Sequence, residues 1–264
     1  MNSNNQTLSQ IREQIRSGEF TSNTSGVMPN LVQGNVVILP KEQADKFVEF
    51  CLLNPTPCPI LGVSEPGEYG IPALGDSLDI RHDIPQYHIF ENGDLVETPT
   101  SIEEFWKDDS VAIILGCSFS FEDALQRKGY KIRNIEMNTN VSMYETTIST
   151  NETDDFKGNM VVTMRPFKQH EIDDVVEITR AFEKAHGAPV HIGDPNIIGI
   201  KDLNSPEYGS PVTLEEDDIP VFWGCGVTTQ SILKKAKLPQ VITHAPGKML
   251  ITDHTYETLV ANGN

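Results

Sequence analysis

The sequence of 264 residues carries 38 acidic and 20 basic side chains, a formal charge of −18. That length suits one large or two modest domains, and that charge opposes the basic footprint a phosphate backbone or an anionic membrane surface attracts, so neither nucleic acid nor membrane is an expected partner. With 38% hydrophobic and 22% charged residues the composition is that of an ordinary globular chain, and no apolar run approaches the roughly 18 residues that span a bilayer.

Residues 1–6 are polar, with neither the basic flank nor the apolar centre of a secretion signal, and Cys51, Cys58, Cys117 and Cys225 form no close pairs of the metal-binding kind. A cytoplasmic setting with reduced thiols is therefore expected. Leu8, Ile11 and Ile15 share one face of a short helix that Gly18 can end, and residues 21–34 read as irregular connection. Pro40 opens a clearer helix in which Ala44, Phe47, Val48, Cys51 and Leu52 recur at helical spacing. Three prolines make the stretch NPTPCP at 54–59 a stiff, extended elbow. Residues 79–90 suggest extended chain before a turn at 91–94. Thr100 and Ser101, each followed three residues later by Glu, offer two registers of a capping box for a helix carrying Phe105 and Trp106.

The apolar run 111–115 leads through Gly116-Cys117-Ser118-Phe119-Ser120 into a helix ending near Gly129, a strand, tight turn and helix in succession. The same arrangement returns in the strand 221–223, the turn 224–229 and a helix that stops before Pro239. Between them, a strand at 160–164, an amphipathic helix marked by Ile172, Val175, Val176 and Phe182, and a strand at 190–192 make a further βαβ element. Short strands at 241–243 and 249–252 complete the pattern. Alternating strands and helices predict an α/β protein: a larger three-layer domain with a partly parallel sheet from 1–133 and 203–264, and a smaller inserted α+β two-layer domain from 134–202.

The two Gly-Cys turns are the most informative local features, because a strand-to-helix turn presents unpaired backbone N–H groups and the positive end of a helix dipole to small anions. Ser118, Ser120, Gly226, Thr228 and Thr229 lie on them; the hydroxyl residues could equally serve as N-caps. Cys117 and Cys225 sit where a helix N-terminus favours thiolate, whereas burial would do the reverse. In HGAPVHIGDP at 186–195, His186 reads as a helix-ending cation before Gly187, while His191 and Asp194 flank a strand end, where active-site loops leave a sheet. His244 stands at another strand end and could move protons near neutral pH. Arg165 and Arg81 could each clamp a carboxylate, with Asp79 and Asp83 as alternative partners for Arg81. No ligand spacing calls for a metal, and Gly224-x-Gly226 lacks the third glycine of a dinucleotide fingerprint, so no cofactor is expected.

Taken together, NPTPCP at 54–59, DIRHDIP at 79–85, LGCSFSFE at 115–122, HGAPVHIGDP at 186–195, FWGCGVTTQ at 222–230 and ITHAPGKMLITD at 242–253 resemble the D-glutamate cyclase family in its bacterial hydro-lyase branch, over nearly the whole chain after about Gly26. His82 and Thr229 depart from that pattern. The resemblance implies reversible dehydration of D-glutamate to 5-oxo-D-proline, the α-amine attacking the γ-carboxyl as water leaves. On that chemistry Arg165 would take the α-carboxylate, the turns 116–120 and 224–229 would surround the reacting carboxyl, and His244 with Asp194 would move protons, so that His244, Asp194, His191 and Cys117 are the catalytic candidates. Ser118, Ser120, Arg165, Gly226, Thr228 and Arg81 are the substrate-binding candidates. The alternatives are a hydro-lyase for another small carboxylic or hydroxy acid and a non-enzymatic carboxylate carrier or sensor. In each case the partner is a small carboxylate, with a homo-oligomer left open.

Overall fold

The computed structural model describes residues 6–24 and 26–261; the polar start at 1–5 lies outside the described residues. In chain order the elements are α1 (Leu8–Arg16), β1 (Leu31–Pro40), α2 (Lys41–Leu53), β2 (Ile60–Val63), β3 (Tyr87–Glu91), β4 (Asp94–Glu97), β5 (Ser110–Leu115), α3 (Phe119–Arg127), α4 (Arg133–Glu136), β6 (Ser142–Ser149), β7 (Asn159–Lys168), α5 (Ile172–Arg180), β8 (His191–Ile192), β9 (Asp218–Gly224), α6 (Val227–Ala236), β10 (Val241–His244), β11 (Leu250–Thr255) and α7 (Tyr256–Ala261). They form a mixed α/β protein with a seven-stranded and a four-stranded sheet, both antiparallel. The chain divides into two compact units. Unit 1 takes in the chain up to Val48, Leu61–Leu115 and Leu233–Thr255, and unit 2 takes in Glu49–Ile60, Gly116–Ile232 and the chain from Tyr256. The segment 134–202 expected as an insertion lies within unit 2.

Unit 1 holds the larger sheet, in the order β2-β5-β1-β10-β3-β4 with β11 also on β1. β1 runs against β5 in unbroken register from Asn35 opposite Leu115 to Pro40 opposite Ser110. All six residues of β5 are buried. A continuous apolar run reports cover on both faces and says nothing about direction, which is why the expected parallel component is absent. Val36, Ile38, Ile80, Tyr87, Ile89, Ile114 and Ile242 belong to the unit's main core. α1 opens with a capping box: Thr7 Oγ1 accepts from Gln10 N–H and Gln10 Oε1 accepts from Thr7 N–H.

Several local expectations change. β1 begins at Leu31, inside the stretch read as irregular. Residues 80–85 are turns and bends; Asp79 and Asp83 spend their carboxylates on nearby N–H groups there, and extended pairing starts only at Tyr87. The capping box at Thr100 or Ser101 does not yield a helix: Ser101 Oγ accepts from Glu103 N–H, but Lys107-Asp108-Asp109 gives a helix no apolar face to bury, and one 3-10 turn, Glu103–Phe105, is all that forms. On α2, Phe50 is buried where Leu52 was expected, and Leu52 is exposed.

Unit 2 holds the smaller sheet, in the order β6-β7-β9-β8. β7 and β8 both run antiparallel to β9, which lies between them. The crossover through α5 thus joins two like-directed strands that are not neighbours, because a strand from later in the chain fills the gap. On β7 the two-residue period sends Met160, Val162 and Met164 into one core with Tyr144, Phe222 and Val212. Val161, Thr163 and Arg165 point to the other face.

Candidate active site

That second face is where four of the six sequence motifs meet. Cys225, Val161, Phe119 and Val227 belong to one apolar cluster, so the N-terminal turns of α3 and α6 lie together against β7. Past the end of β9, Val161 completes its backbone bonding with the α6 turn: Cys225 N–H donates to Val161 O, and Val161 N–H donates to Thr228 Oγ1 at 2.9 Å. Thr228 is thereby a brace between strand and turn, and Thr229 Oγ1 is bonded to Gly226 O at 2.7 Å. Ser118 makes no side-chain cap to α3.

Ser118 Oγ instead accepts from Arg165 Nη2 at 3.1 Å. The guanidinium, fully buried, also gives Nη1 to Thr163 Oγ1 at 2.9 Å and both Nε, at 2.7 Å, and Nη2 to Glu122 Oε1. Its Cζ lies 5.0 Å from the Phe121 ring centroid and 5.6 Å from that of Trp223. Four of five donors are thus in use before any substrate arrives. Glu122 Oε2 takes no donor among the described residues. Ser118 and Glu122 reach one guanidinium because positions i and i+4 of a helix share a face.

The turns supply unpaired donors. The N–H groups of Cys117, Ser118 and Gly226 have no acceptor among the described residues, and both helix dipoles present positive ends here. Close approach is built in through glycine: a Cβ on Gly116 would sit 1.7 Å from the Lys184 carbonyl oxygen, and one on Gly224 would sit 3.1 Å from that of Thr56. The elbow 54–59 and the turn before His186 are thereby pressed against the two helix starts. Ser120 Oγ and Trp223 Nε1 are buried there without partners.

His186 is not the end of a long helix, since α5 stops at Arg180. It follows the 3-10 turn Glu183–Ala185, itself left-handed with φ 79°, and its Nδ1 donates to Thr56 O at 2.8 Å. Desolvation lowers its pKa to about 4, opposed by the Thr56 bond and reinforced by Arg165, so the ring is neutral and not the expected dipole-complementing cation. Cys117 is partly exposed and Cys225 buried. Desolvation raises their thiols to about 12 and about 11 against the N–H groups of Phe119 and Val227.

The other candidates have partners of their own. Asp194 is exposed and caps the 3-10 turn Pro195–Ile198, accepting from Asn196 N–H at 3.0 Å and from its side-chain amide at 2.8 Å, and these bonds hold its carboxyl below the usual range. His191 Nε2 lies 2.8 Å from Asp194 O. His244 belongs to unit 1; its Nδ1 lies 3.1 Å from Val36 N and 3.4 Å from Val36 O, and desolvation lowers its pKa to about 4. Arg81, also in unit 1, is fixed by Asp79 through Nε and Nη2 at 2.9 and 2.8 Å and stacks 3.7 Å over Tyr69, while Asp83 goes to Arg16. Among the described residues the acidic group close enough to share an ion, Glu215, Asp217 and Asp218, already surrounds Lys168 Nζ at 2.7, 2.6 and 2.8 Å. Glu122 and Thr163 are not singled out by the sequence and His186 is read there as structural, although the i, i+4 spacing of Ser118 with Glu122 and the two-residue spacing of Thr163 with Arg165 are readable.

No helix among the described residues is long and apolar enough to cross a membrane. The sequence profile of the D-glutamate cyclase family matches residues 111–253. A protein of Bradyrhizobium diazoefficiens named "Putative hydro-lyase" is 52% identical over 95% of this chain and 92% of its own length. Proteins of the same name from Shewanella woodyi and Aliivibrio salmonicida are 51% and 49% identical, over 96% and 93% of this chain and 94% of each relative. A nitrogen repressor-like protein of Methanococcus jannaschii aligns with 85% of this chain and 88% of its own at 12% identity and a TM-score of 0.38. With half its sequence shared across nearly its whole length, the chain belongs to the D-glutamate cyclase family of carbon–oxygen lyases.

Proposed function

We propose that the protein catalyses the reversible dehydration of D-glutamate to 5-oxo-D-proline. The observation that carries this reading is the meeting of two helix N-termini, with free N–H groups at Cys117, Ser118 and Gly226, beside the Arg165–Glu122 pair. Cyclisation needs such donors, because attack of the amine on the γ-carboxyl makes an oxyanion that preorganised N–H groups stabilise in a site poor in water. With the chain charged at −18, local donors must also supply the attraction for a doubly carboxylated substrate.

The protons can be counted. The α-ammonium holds three and the lactam nitrogen one, so two must travel from nitrogen to the departing oxygen, which leaves as water. On the nitrogen side the acceptors are Glu122 Oε2 and the neutral His186, whose Nδ1 proton is committed to Thr56 and whose Nε2 lone pair is left over. Arg165 positions Glu122 and Ser118 in this reading, since its donors are already engaged, and the α-carboxylate falls to the helix N-termini. A Cys117 thiol near 12 stays protonated at neutral pH, which favours direct attack by the amine over a thioester route.

Purified protein incubated separately with D-glutamate, L-glutamate and the two enantiomers of 5-oxoproline, followed by chiral chromatography in both directions, tests the proposal. Turnover of the D pair alone is expected. Equal turnover of both enantiomers removes the stereochemical part. No turnover of any of the four by folded protein moves the reading to dehydration of another small carboxylic or hydroxy acid.

A further inference from the structure

Trp223 is the last side chain of β9 before the turn Gly224-Cys225-Gly226. In the sheet it stands opposite Thr163, and Val221 stands opposite Arg165, so the indole shares the face that carries Thr163 and Arg165. Its ring centroid lies 5.2 Å from that of Phe121 on α3 and 6.2 Å from that of Phe167 on β7. Arg165 Cζ is 5.6 Å from the same ring. The indole is thus packed beside the Arg165–Glu122 pair, and all of these residues belong to unit 2.

An indole N–H can only donate, and a buried one without an acceptor has lost the hydrogen bond it made in water. Trp106, the other tryptophan, gives its Nε1–H to Gly67 O at 2.9 Å. Trp223 Nε1 is buried and finds no acceptor among the described residues. Thr163 Oγ1, Ser118 Oγ and Glu122 Oε1 are engaged by the guanidinium. Glu122 Oε2 is idle in the opposite sense, an acceptor to which no described residue donates. One guanidinium is therefore bordered by an unused donor and by the carboxylate that holds an unused acceptor. That pair complements a ligand whose nitrogen and carboxylate hang on a single carbon.

Resting on the dehydration reading above, we propose that the Trp223 indole N–H binds the α-carboxylate of D-glutamate and of 5-oxo-D-proline. A substrate that offers its nitrogen to Glu122 Oε2 brings the carboxylate on the same carbon to the donor bordering Arg165. The N–H groups of Cys117, Ser118 and Gly226 keep the other carboxylate oxygen and the reacting γ-carboxyl. The indole is neutral, so it adds a donor without a second buried cation and leaves Arg165 with Glu122. Cys117, Phe119 and Val227 on the two turns are partly exposed while Trp223 is fully buried, so the α end of the ligand goes in first.

The test reads the two indole N–H signals of the full chain by NMR after ¹⁵N labelling of tryptophan, with Trp223→Phe assigning them. At a 5-oxo-D-proline concentration that saturates turnover, the Trp223 signal should move downfield and the Trp106 signal should stay. Pyrrolidin-2-one, the same ring without the carboxylate, should not reproduce the shift. In Trp223→Phe, KM for D-glutamate should rise roughly 10–150-fold, the value of a hydrogen bond to a charged group, with kcat within about threefold. If that variant fails to fold, Trp106→Phe assigns the signals and the wild-type spectra decide. An unmoved Trp223 signal overturns the proposal, as does an equal shift with pyrrolidin-2-one or a fall in kcat at unchanged KM, and each leaves the dehydration reading standing. Wild-type protein inactive on D-glutamate and 5-oxo-D-proline overturns that reading instead, and carboxylate binding at Trp223 then stands or falls with the NMR shift.

Discussion

Arg165→Met should be read first as a stability experiment. The guanidinium is fully buried, the Glu122 side chain is 7% exposed, and Glu122 Oε1 takes two of its N–H donors. Solvent screening between them is slight. Removing the cation strands a carboxylate where water scarcely reaches, and breaking such a pair costs about 3–5 kcal/mol. At about 2–4 °C per kcal/mol for a domain of 150–250 residues, the melting temperature should fall by roughly 6–20 °C. Glu122→Met should cost a similar amount by stranding the guanidinium, whereas the double variant, with an apolar pair of similar volume, should recover at least half of the combined loss. Thermal and urea unfolding of the four proteins gives the coupling energy directly. Additivity within about 0.5 kcal/mol would refute the pairing argument. An unchanged melting temperature with a raised KM for D-glutamate would show instead that the guanidinium is available to the substrate carboxylate.

Three further outcomes follow from the same geometry. Cys117→Ser should keep turnover within about tenfold, since a thiol near 12 is not a nucleophile at neutral pH; loss by several orders of magnitude together with a trapped thioester in the wild type would sink the direct mechanism. Gly116→Ala must displace the Lys184 carbonyl, 1.7 Å from the new methyl, and with it the turn that sets His186, so a loss of about 1–3 kcal/mol is expected, and an unchanged melting temperature would contradict it. His186 and His244, held near 4 in the fold, gain no proton between about pH 6.5 and 4 while the unfolded chain does. Stability should therefore fall as pH drops through that window, by about 3 kcal/mol per imidazole at its lower end, and be level above it. His244→Asn, whose Oδ1 can accept from Val36 N–H, should flatten part of that slope, and an identical pH dependence in the variant would exclude His244 as a contributor.

Much of the fold was legible because it rests on local patterns. The α1 stripe of Leu8, Ile11 and Ile15, the turn at Asn92-Gly93 and the two strand–turn–helix passages all stand where periodicity and turn residues put them. Strand direction was not legible, because neither the buried run of β5 nor the α5 crossover encodes what pairs beside it. β9 enters between β7 and β8 from later in the chain, and only the completed register shows this.

The helix-start turns of the candidate site were legible, the partners of their side chains were not, for a physical reason. Gly116, Cys117, Ser118 and Gly226 stand at helix starts as read, because a helix start announces itself in a few consecutive residues. Whether a side chain on such a turn is free for a ligand depends on partners contributed by other elements, and those decide the chemistry. Arg165 looked like a carboxylate clamp until Glu122, Thr163 and Ser118 were seen to occupy it. Asp194 looked like a proton carrier, but its carboxylate caps the turn it begins.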